Sequence, residues 1–402
     1  MPERPDLRRC GAVFVETSEV VDFDIGALLG GRDPRRRKQS WMALAPHLDA
    51  PVPIDEPSIA ALGRLSETQW TDYATVNATI PEPTLQALVD AGLILERGCF
   101  TVAHRRDIAL RDANWHPLLA TAHAFSRWSK VDSLEAQEAS GIHSTADMIS
   151  VSGLPPPHYR VREDARSRMA LERPSPRALD SLMHRRTTCR NFDTNVALSA
   201  RDLALVLHRS FGEQGREEIE PGAVALKKNH PSGGGLHPLE AYLLVQRVDD
   251  MAAGLYHYNV EAHALDRLPV PAGFDARAFA LTVVAGQHYF ADAAVLLVVA
   301  VRFPRSFWKY RKHPKIYRAI LLEAGHASQN LYLAATDLGL GAYVTAAINE
   351  VEIEQAFILD PLLEGPIAVC GFGPRAQTRT TVELDPAGSV WDAEGRLKLQ
   401  TG

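Results

Sequence analysis

With 402 residues the chain is long enough for two domains, and 46% hydrophobic and 23% charged residues are ordinary for a globular protein. A net charge of −6 gives no hint of a nucleic-acid partner. Four scattered cysteines (Cys10, Cys99, Cys189, Cys370), none in a Cys-x-x-Cys pair, fit neither a disulfide framework nor a zinc site. They suit a reducing cytoplasm. Residues 1–10 lack the apolar run of a signal peptide, and the longest apolar run, Ala293 to Val301, is too short to span a bilayer. Neither export nor a membrane partner is expected.

Residues 1 to about 55 carry a basic cluster (Arg32, Arg35 to Lys38) and a Pro-rich stretch, and define no element by themselves. Ser58 to Leu65 and Pro83 to Ala91 read as short helices, the second with Leu85, Leu88 and Val89 at helical spacing and Gly92 as its stop. Leu93–Glu96 and Cys99–Val102 flank Arg97-Gly98, a hairpin signal. Helices followed by a hairpin make a winged-helix pattern. Acidic side chains outnumber basic ones between Ser58 and Asp107, which disfavours DNA and leaves peptide binding or a structural role. Trp115 to Trp128 is aromatic and His-rich at helical spacing, a core-packing pattern. Residues 129–176 turn polar around Pro155-Pro156-Pro157 and read as a connecting arm.

From 177 to 402 the pattern is compact α+β. Ala178 to Arg185 is a short helix, and Ser199 to Asp202 is a capping box that opens a second over Leu203 to Ser210. Leu239 to Val248 reads as a strand, Gly254 to Asn259 with Ala264 to Leu268 as a hairpin, and Ala293 to Phe303 as a central strand. Tyr317 to Leu338 is a long helix stopped by Gly339, and Pro366 to Gly371 a last strand.

Three segments carry chemistry. Arg186-Thr187-Thr188-Cys189-Arg190 clusters guanidinium and hydroxyl groups, suited to a phosphate and a polar ring edge. Pro231-Ser232-Gly233-Gly234-Gly235 lets backbone approach a flat ligand, and lacks the context of a P-loop or a dinucleotide fingerprint. In the long helix Glu323, His326 and Asn330 fall at i, i+3 and i+7, predicting one polar face. Gly325 costs about 1 kcal/mol there relative to Ala, which close packing against another helix would explain. Glu323 and His326 show no third ligand at a sensible spacing, so no metal is expected.

The Arg-x-Thr-x-Arg-x-Phe start, the Pro-Ser-Gly-Gly loop with its downstream Pro-x-Glu, and the helix ending Leu-Gly-Leu-Gly341 resemble, in this order, the nitroreductase family over residues 177–376. Gly-Leu-Tyr-x-Tyr, Lys309-Tyr310 and Leu-Glu-Ala-Gly-His-x-x-Gln-Asn resemble its SagB-type branch, FMN-dependent azoline dehydrogenases that mature ribosomally made peptides. Residues 1–128 resemble less closely the winged-helix modules such enzymes use to hold a precursor's leader peptide.

The resemblance implies a central, mostly antiparallel sheet flanked by helices, an FMN cofactor and an obligate homodimer. It also implies a precursor-peptide substrate and a peptide-modifying partner enzyme. Arg186, Thr187 and Thr188 would bind the FMN phosphate end, with Arg375 as a second phosphate ligand. Arg190 would lie near the flavin N1–C2 edge, where negative charge develops on reduction. Pro231, Ser232, Gly233 and Gly234 would contact the ring, and Thr345 and Ala346 would lie near N5, where the family often has Gly at the position of Ala346. Lys309 and Tyr310 match a catalytic pair, Tyr310 removing a proton from the azoline while hydride passes to N5. The Lys309 ammonium would favour the phenolate, and an irregular segment between Pro304 and Pro314 would let both side chains serve one site. An NAD(P)H-dependent nitroreductase or quinone reductase, or a peptide dehydrogenase with another target bond, is the alternative. A binding protein with a disabled flavin fold is disfavoured by the intact Arg186–Arg190 segment.

Overall fold

A computed structural model describes residues 4–142, 144–160, 162–172 and 175–398. The chain divides into two compact units. One holds residues 1–127, 302–318 and 360–364; the other holds 128–301, 319–359 and 365–402.

In the first unit, β1 (Leu7–Arg9) pairs antiparallel with β5 (Ile94–Glu96). β2 (Phe14–Phe23), β3 (Arg35–Leu44) and β4 (Val52–Ile54) form an antiparallel sheet, with α1 (Ile25–Leu29) between the first two. α2 (Glu56–Arg64), α3 (Tyr73–Asn77) and α4 (Glu82–Asp90) follow. The Asp55 and Asp72 carboxylates start α2 and α3 by accepting from the backbone N–H groups of Ser58 and Thr75 at 2.9 Å. Leu62, Leu85 and Leu88 then bury their apolar faces with Leu7, Leu93 and Ile94.

The hairpin expected across Arg97-Gly98 does not form. Ile94–Glu96 takes β1 as its partner, and the Thr101 hydroxyl accepts from His104 N–H (3.1 Å), so the second apolar run opens α5 (Val102–Asp112) instead. A capping residue outweighed a short β-like run.

α6 (Pro117–Ser126) and the helix Phe303–Lys309, α13 in chain order, complete this unit's core. The Trp115 ring lies 4.6 Å from Phe303 and 4.7 Å from Phe307, and its indole N–H donates to Leu362 O at 2.7 Å. His123 sits between Tyr317 Oη (3.1 Å) and Pro361 O (3.0 Å), and burial pushes its imidazole down to about 4. Trp115 and His123 are thus core residues, while Trp128 is exposed.

The second unit opens with α7 (Ser133–Ala139) and α8 (Thr145–Ser152), and none of the described residues of 129–176 is buried. α9 (Ala178–Arg185) and α10 (Ala200–Ser210) lie where the sequence puts them, the latter capped by Ser199 accepting from Asp202 N–H at 3.0 Å. β6 (Glu213–Glu220) and β7 (Ala223–Lys228) make an exposed hairpin without apolar alternation, which is why the sequence did not announce it.

β8 (Leu239–Val245), β9 (Gly254–Asn259), β10 (Ala264–Arg267), β11 (Val295–Arg302), β12 (Gly341–Thr345) and β13 (Glu364–Gly373) form one sheet, ordered β10-β9-β8-β11-β13-β12. The pairs β10–β9, β9–β8, β8–β11 and β13–β12 are antiparallel. Residues Val295 to Val301 of β11 are buried on both faces, so its apolar run is continuous rather than alternating. α11 (Ala276–Val283), α12 (His288–Ala291) and α15 (Glu350–Phe357) contribute Val283, Phe290 and Ile353 to the core around Leu244, Leu296 and Tyr343. α14 (Ile316–Asp337) is the long helix. Among the described residues no helix is long and apolar enough to cross a membrane.

Candidate active site

Residues 186–191 run beside the edge strand β12. Thr188 bridges to Ala342 in parallel, and Cys189 N–H donates to Ala342 O at 2.8 Å. Two glycines make this possible. Gly339 (φ 73) turns the chain out of α14 in the left-handed region. At Gly341 a Cβ would meet Cys189 Sγ at 2.4 Å, so only glycine admits the segment this close. The Leu-Gly-Leu-Gly341 motif is therefore a steric device for docking the arginine segment.

Tyr332 of α14 joins the parts. Its hydroxyl is 3.0 Å from Thr188 Oγ1 and accepts from Val344 N–H at 3.2 Å, next to Thr345 and Ala346. The half-buried Arg186 guanidinium lies 5.1 Å over the Tyr332 ring, with no hydrogen-bonded acceptor among the described residues. Arg190 lies 5.7 Å over Tyr289 and 5.9 Å over Phe290, and donates to Val382 O. Thr345 is buried and its hydroxyl accepts from Ala347 N–H, while Ala346 is exposed past the strand end.

The glycine loop forms a 3₁₀ turn at Gly233–Gly235, with Gly234 at φ 71 and Gly235 at φ 70. Its anchor is Ser232, whose hydroxyl donates to Glu323 Oε2 at 2.5 Å and accepts from His237 N–H at 2.8 Å. Burial pushes the Glu323 carboxyl up, but the His230 and His237 imidazoles and the Ser232 hydroxyl outweigh it and bring it down to about 2. α14 thus holds the loop through Glu323 and the arginine segment through Tyr332. These residues are nine apart, or about 14 Å along the helix.

The polar face expected on α14 is split: Glu323 is buried against the loop, while His326 is exposed. Gly325 is exposed too, with nothing within 4 Å of an added Cβ, so packing within the described chain does not explain it.

Arg375, expected to meet a phosphate, has a different commitment. Its side chain is 3% exposed and donates to Glu383 Oε2 (3.1 Å) and Thr187 Oγ1 (3.0 Å). Glu383 is fully buried and gathers five donors. Arg190 N–H, Asn191 N–H and Asn191 Nδ2 reach Oε1 at 2.6, 3.0 and 2.8 Å. Arg375 and Trp391 Nε1 reach Oε2. Both groups are part of the frame behind the arginine segment.

Lys309 and Tyr310 belong to the first unit, at the last residue of α13 and its C-cap. Lys309 is exposed and its Nζ lies 5.6 Å from the Tyr310 ring centroid, a face contact with the half-buried ring. The expected irregular segment is this helix end. The other candidate residues all fall in the second unit.

Residues 183–374 match the model of the nitroreductase family. This part of the chain is a nitroreductase-family domain. Among curated proteins, the trifolitoxin-processing protein TfxB of Rhizobium leguminosarum is 33% identical over 144 residues, 36% of this chain and 38% of that one. The microcin B17-processing protein McbC of Escherichia coli is 28% identical over 187 residues, 46% of this chain and 65% of that one. The chain thus spans under two thirds of either relative's length. A solved E. coli microcin synthetase McbBCD complex with truncated pro-MccB17 bound is similar at 21% identity and a TM-score of 0.48, covering 67% of this chain and 94% of that one.

The matched part of the nitroreductase domain ends before Glu383 and Trp391. Sequence reasoning missed these two residues, and also Asn191 and Tyr332. Asn191 gave a visible signal, an amide side chain inside the arginine segment. It donates to Thr381 O and accepts from Thr380 and Thr381 N–H groups at 2.7–2.8 Å. The other three sit in no recognisable motif: Glu383 and Tyr332 reach Arg190, Asn191 and Thr188 across 144–193 positions, and Trp391 acts through Glu383.

Proposed function

We propose that this chain is an FMN-dependent oxidoreductase of the SagB type that dehydrogenates azoline rings of a ribosomally made peptide to azoles. The observation that carries the reading is a nitroreductase-family domain whose relatives are named for processing two peptides, trifolitoxin and microcin B17.

The donor set suits FMN. Arg186 is a permanent cation without an acceptor among the described residues, beside the Thr188 hydroxyl. These two would hold the phosphate, and Thr187, tied to Arg375, supports them. Arg190 supplies positive charge for a ring edge, and Pro231, Ser232, Gly233 and Gly234 a surface where backbone can face a flat ring. The backbone at Thr345 and Ala346 would line its reactive edge. Bound FMN supplies the acceptor for two electrons and a proton's equivalent of hydrogen. In this reading Tyr310 Oη takes the proton from the ring carbon, and the Lys309 ammonium stabilises the phenolate.

The first unit would bind the leader of the precursor peptide, and a separate enzyme would form the azolines beforehand. A homodimer belongs to the same reading: Leu321, Leu322, Gly325 and His326 expose one side of α14, and Gly325 would admit a close partner there. A cytoplasmic setting follows for an enzyme acting on newly made peptides.

The test is direct. Purified protein is yellow and releases FMN, and with an azoline-bearing peptide it gives a product 2 Da lighter per ring. Tyr310→Phe keeps its FMN and loses turnover. Protein that stays flavin-free after FMN soaking overturns the cofactor, and undiminished turnover in Tyr310→Phe overturns the base. NAD(P)H oxidation with nitro compounds or quinones, without peptide turnover, would favour the nitroreductase alternative.

A further inference from the structure

His230, His237 and Glu323 meet inside the second unit, although 93 positions separate the first from the last in sequence. His230 and His237 flank the glycine loop, and Glu323 projects from α14. All three are more than nine-tenths buried, at 3%, 8% and 2% exposure. His230 Nε2 and His237 Nδ1 each lie 3.5 Å from Glu323 Oε1, and the three atoms lie within 4.8 Å of one another. The imidazole planes are inclined by 76°, so the rings converge by their edges instead of stacking.

Hydrogen bonding does not account for this convergence. Both nitrogens of His230, Nδ1 of His237 and Oε1 of Glu323 are buried without a hydrogen-bond partner among the described residues. Good hydrogen bonds to a carboxylate span about 2.7–3.2 Å, and buried polar groups are normally satisfied. A separation of 3.5 Å does fit two ligands of one metal ion: bonds of about 2.0–2.2 Å in a tetrahedron set neighbouring ligands about 3.3–3.6 Å apart.

The surroundings are those of a built site. Glu323 Oε2 is fixed by the Ser232 hydroxyl, which leaves Oε1 turned toward the histidines. The same hydroxyl clamps the His237 backbone, where φ is +47. Outer-shell hydrogen bonds of this kind orient metal ligands.

We propose that His230, His237 and Glu323 bind one divalent transition-metal ion, zinc by ligand type, which pins the Pro231–Gly235 loop to α14. Two imidazoles and a carboxylate suit zinc better than calcium or magnesium, which prefer all-oxygen sites. Three protein ligands leave a fourth position for water. The site stands apart from the flavin reading, because its readout is metal content.

The experiment uses the full chain, purified without a metal-chelating tag or resin and dialysed free of loose ions. Elemental analysis should give about one zinc per chain in the wild type. Cobalt loaded in place of zinc should give the visible d–d bands of a tetrahedral site. Glu323→Gln keeps the shape and should lower zinc affinity by at least about tenfold, the scale of a disturbed metal shell. His230→Ala should lose the ion. His326→Ala, exposed on the same helix, should keep it.

Wild-type protein that holds no zinc and takes up none on titration overturns the proposal. So does unchanged zinc content in folded Glu323→Gln and His230→Ala. If both variants fail to fold, the cobalt spectrum of the wild type decides alone, and its absence counts against the site.

Discussion

Glu383 is the point at which the arginine segment is most exposed to perturbation. Glu383→Gln keeps the size of the side chain but removes its charge, and it turns an NH₂ group toward donors on one side. Arg375, 3% exposed, then loses its counter-ion, and either Trp391 and Arg375 or the amides of Arg190 and Asn191 face another donor. Breaking one side of a buried ion pair costs about 3–5 kcal/mol. At about 2–4 °C per kcal/mol for a unit of this size, the variant should melt roughly 6–20 °C below wild type. Differential scanning fluorimetry without added flavin measures this directly. Replacing both partners (Arg375→Leu with Glu383→Leu) should cost less than the sum of the single changes, because no charge is left stranded. Melting of Glu383→Gln within about 2 °C of wild type, or additive losses in the double variant, would refute the frame role.

Other outcomes follow from single residues. His123 titrates at about 4 when folded but near 6.5 when unfolded, so its contribution is full above pH 6.5 and lost as pH falls from 6.5 to 4. At 1.36 kcal/mol per pH unit this amounts to about 3 kcal/mol. Urea unfolding between pH 7.5 and 4.5 should show that slope, and His123→Gln should flatten it; identical slopes would reject it. Burial pushes the Cys10, Cys189 and Cys370 thiols up to about 12, whereas Cys99 is exposed. A disulfide reagent should therefore titrate one thiol quickly in native protein and four after denaturation. Leu322→Arg puts charge on the exposed side of α14 and should convert the proposed dimer to a monomer in sedimentation analysis; an unchanged mass would place any interface elsewhere.

Local physics was legible and long-range physics was not. α9, α10 and the β9–β10 hairpin sit where caps and alternation put them, since their determinants lie within a few residues. β5 was misjudged as half of a hairpin, because its partner is Leu7–Arg9, nearly ninety residues upstream. In the candidate site, Arg186, Thr188 and the glycine loop announce themselves by composition. Tyr332, which joins Thr188 to Val344, is only one tyrosine on an amphipathic helix until the fold closes. Arg375 was assigned to the phosphate through the family resemblance, and neither a motif nor a charge in a sequence reveals whether a carboxylate such as Glu383 already holds it. Likewise, helix spacing offered Glu323 only His326, on the solvent side, whereas the fold brings it His230 and His237.

The clasp of Glu383 on Arg190 and Asn191 also sets a clock. These contacts join residues 193 and 192 positions apart, the last of them supplied near the C-terminal end of the described chain. At synthesis rates of about 5–20 residues per second, the arginine segment leaves the ribosome roughly 10–40 s before its carboxylate does. Over that interval the backbone amides of Arg190 and Asn191 have no internal acceptor in Glu383. The nascent segment must therefore wait in solvent or in a chaperone's hands, and a truncation before residue 383 would strand it there.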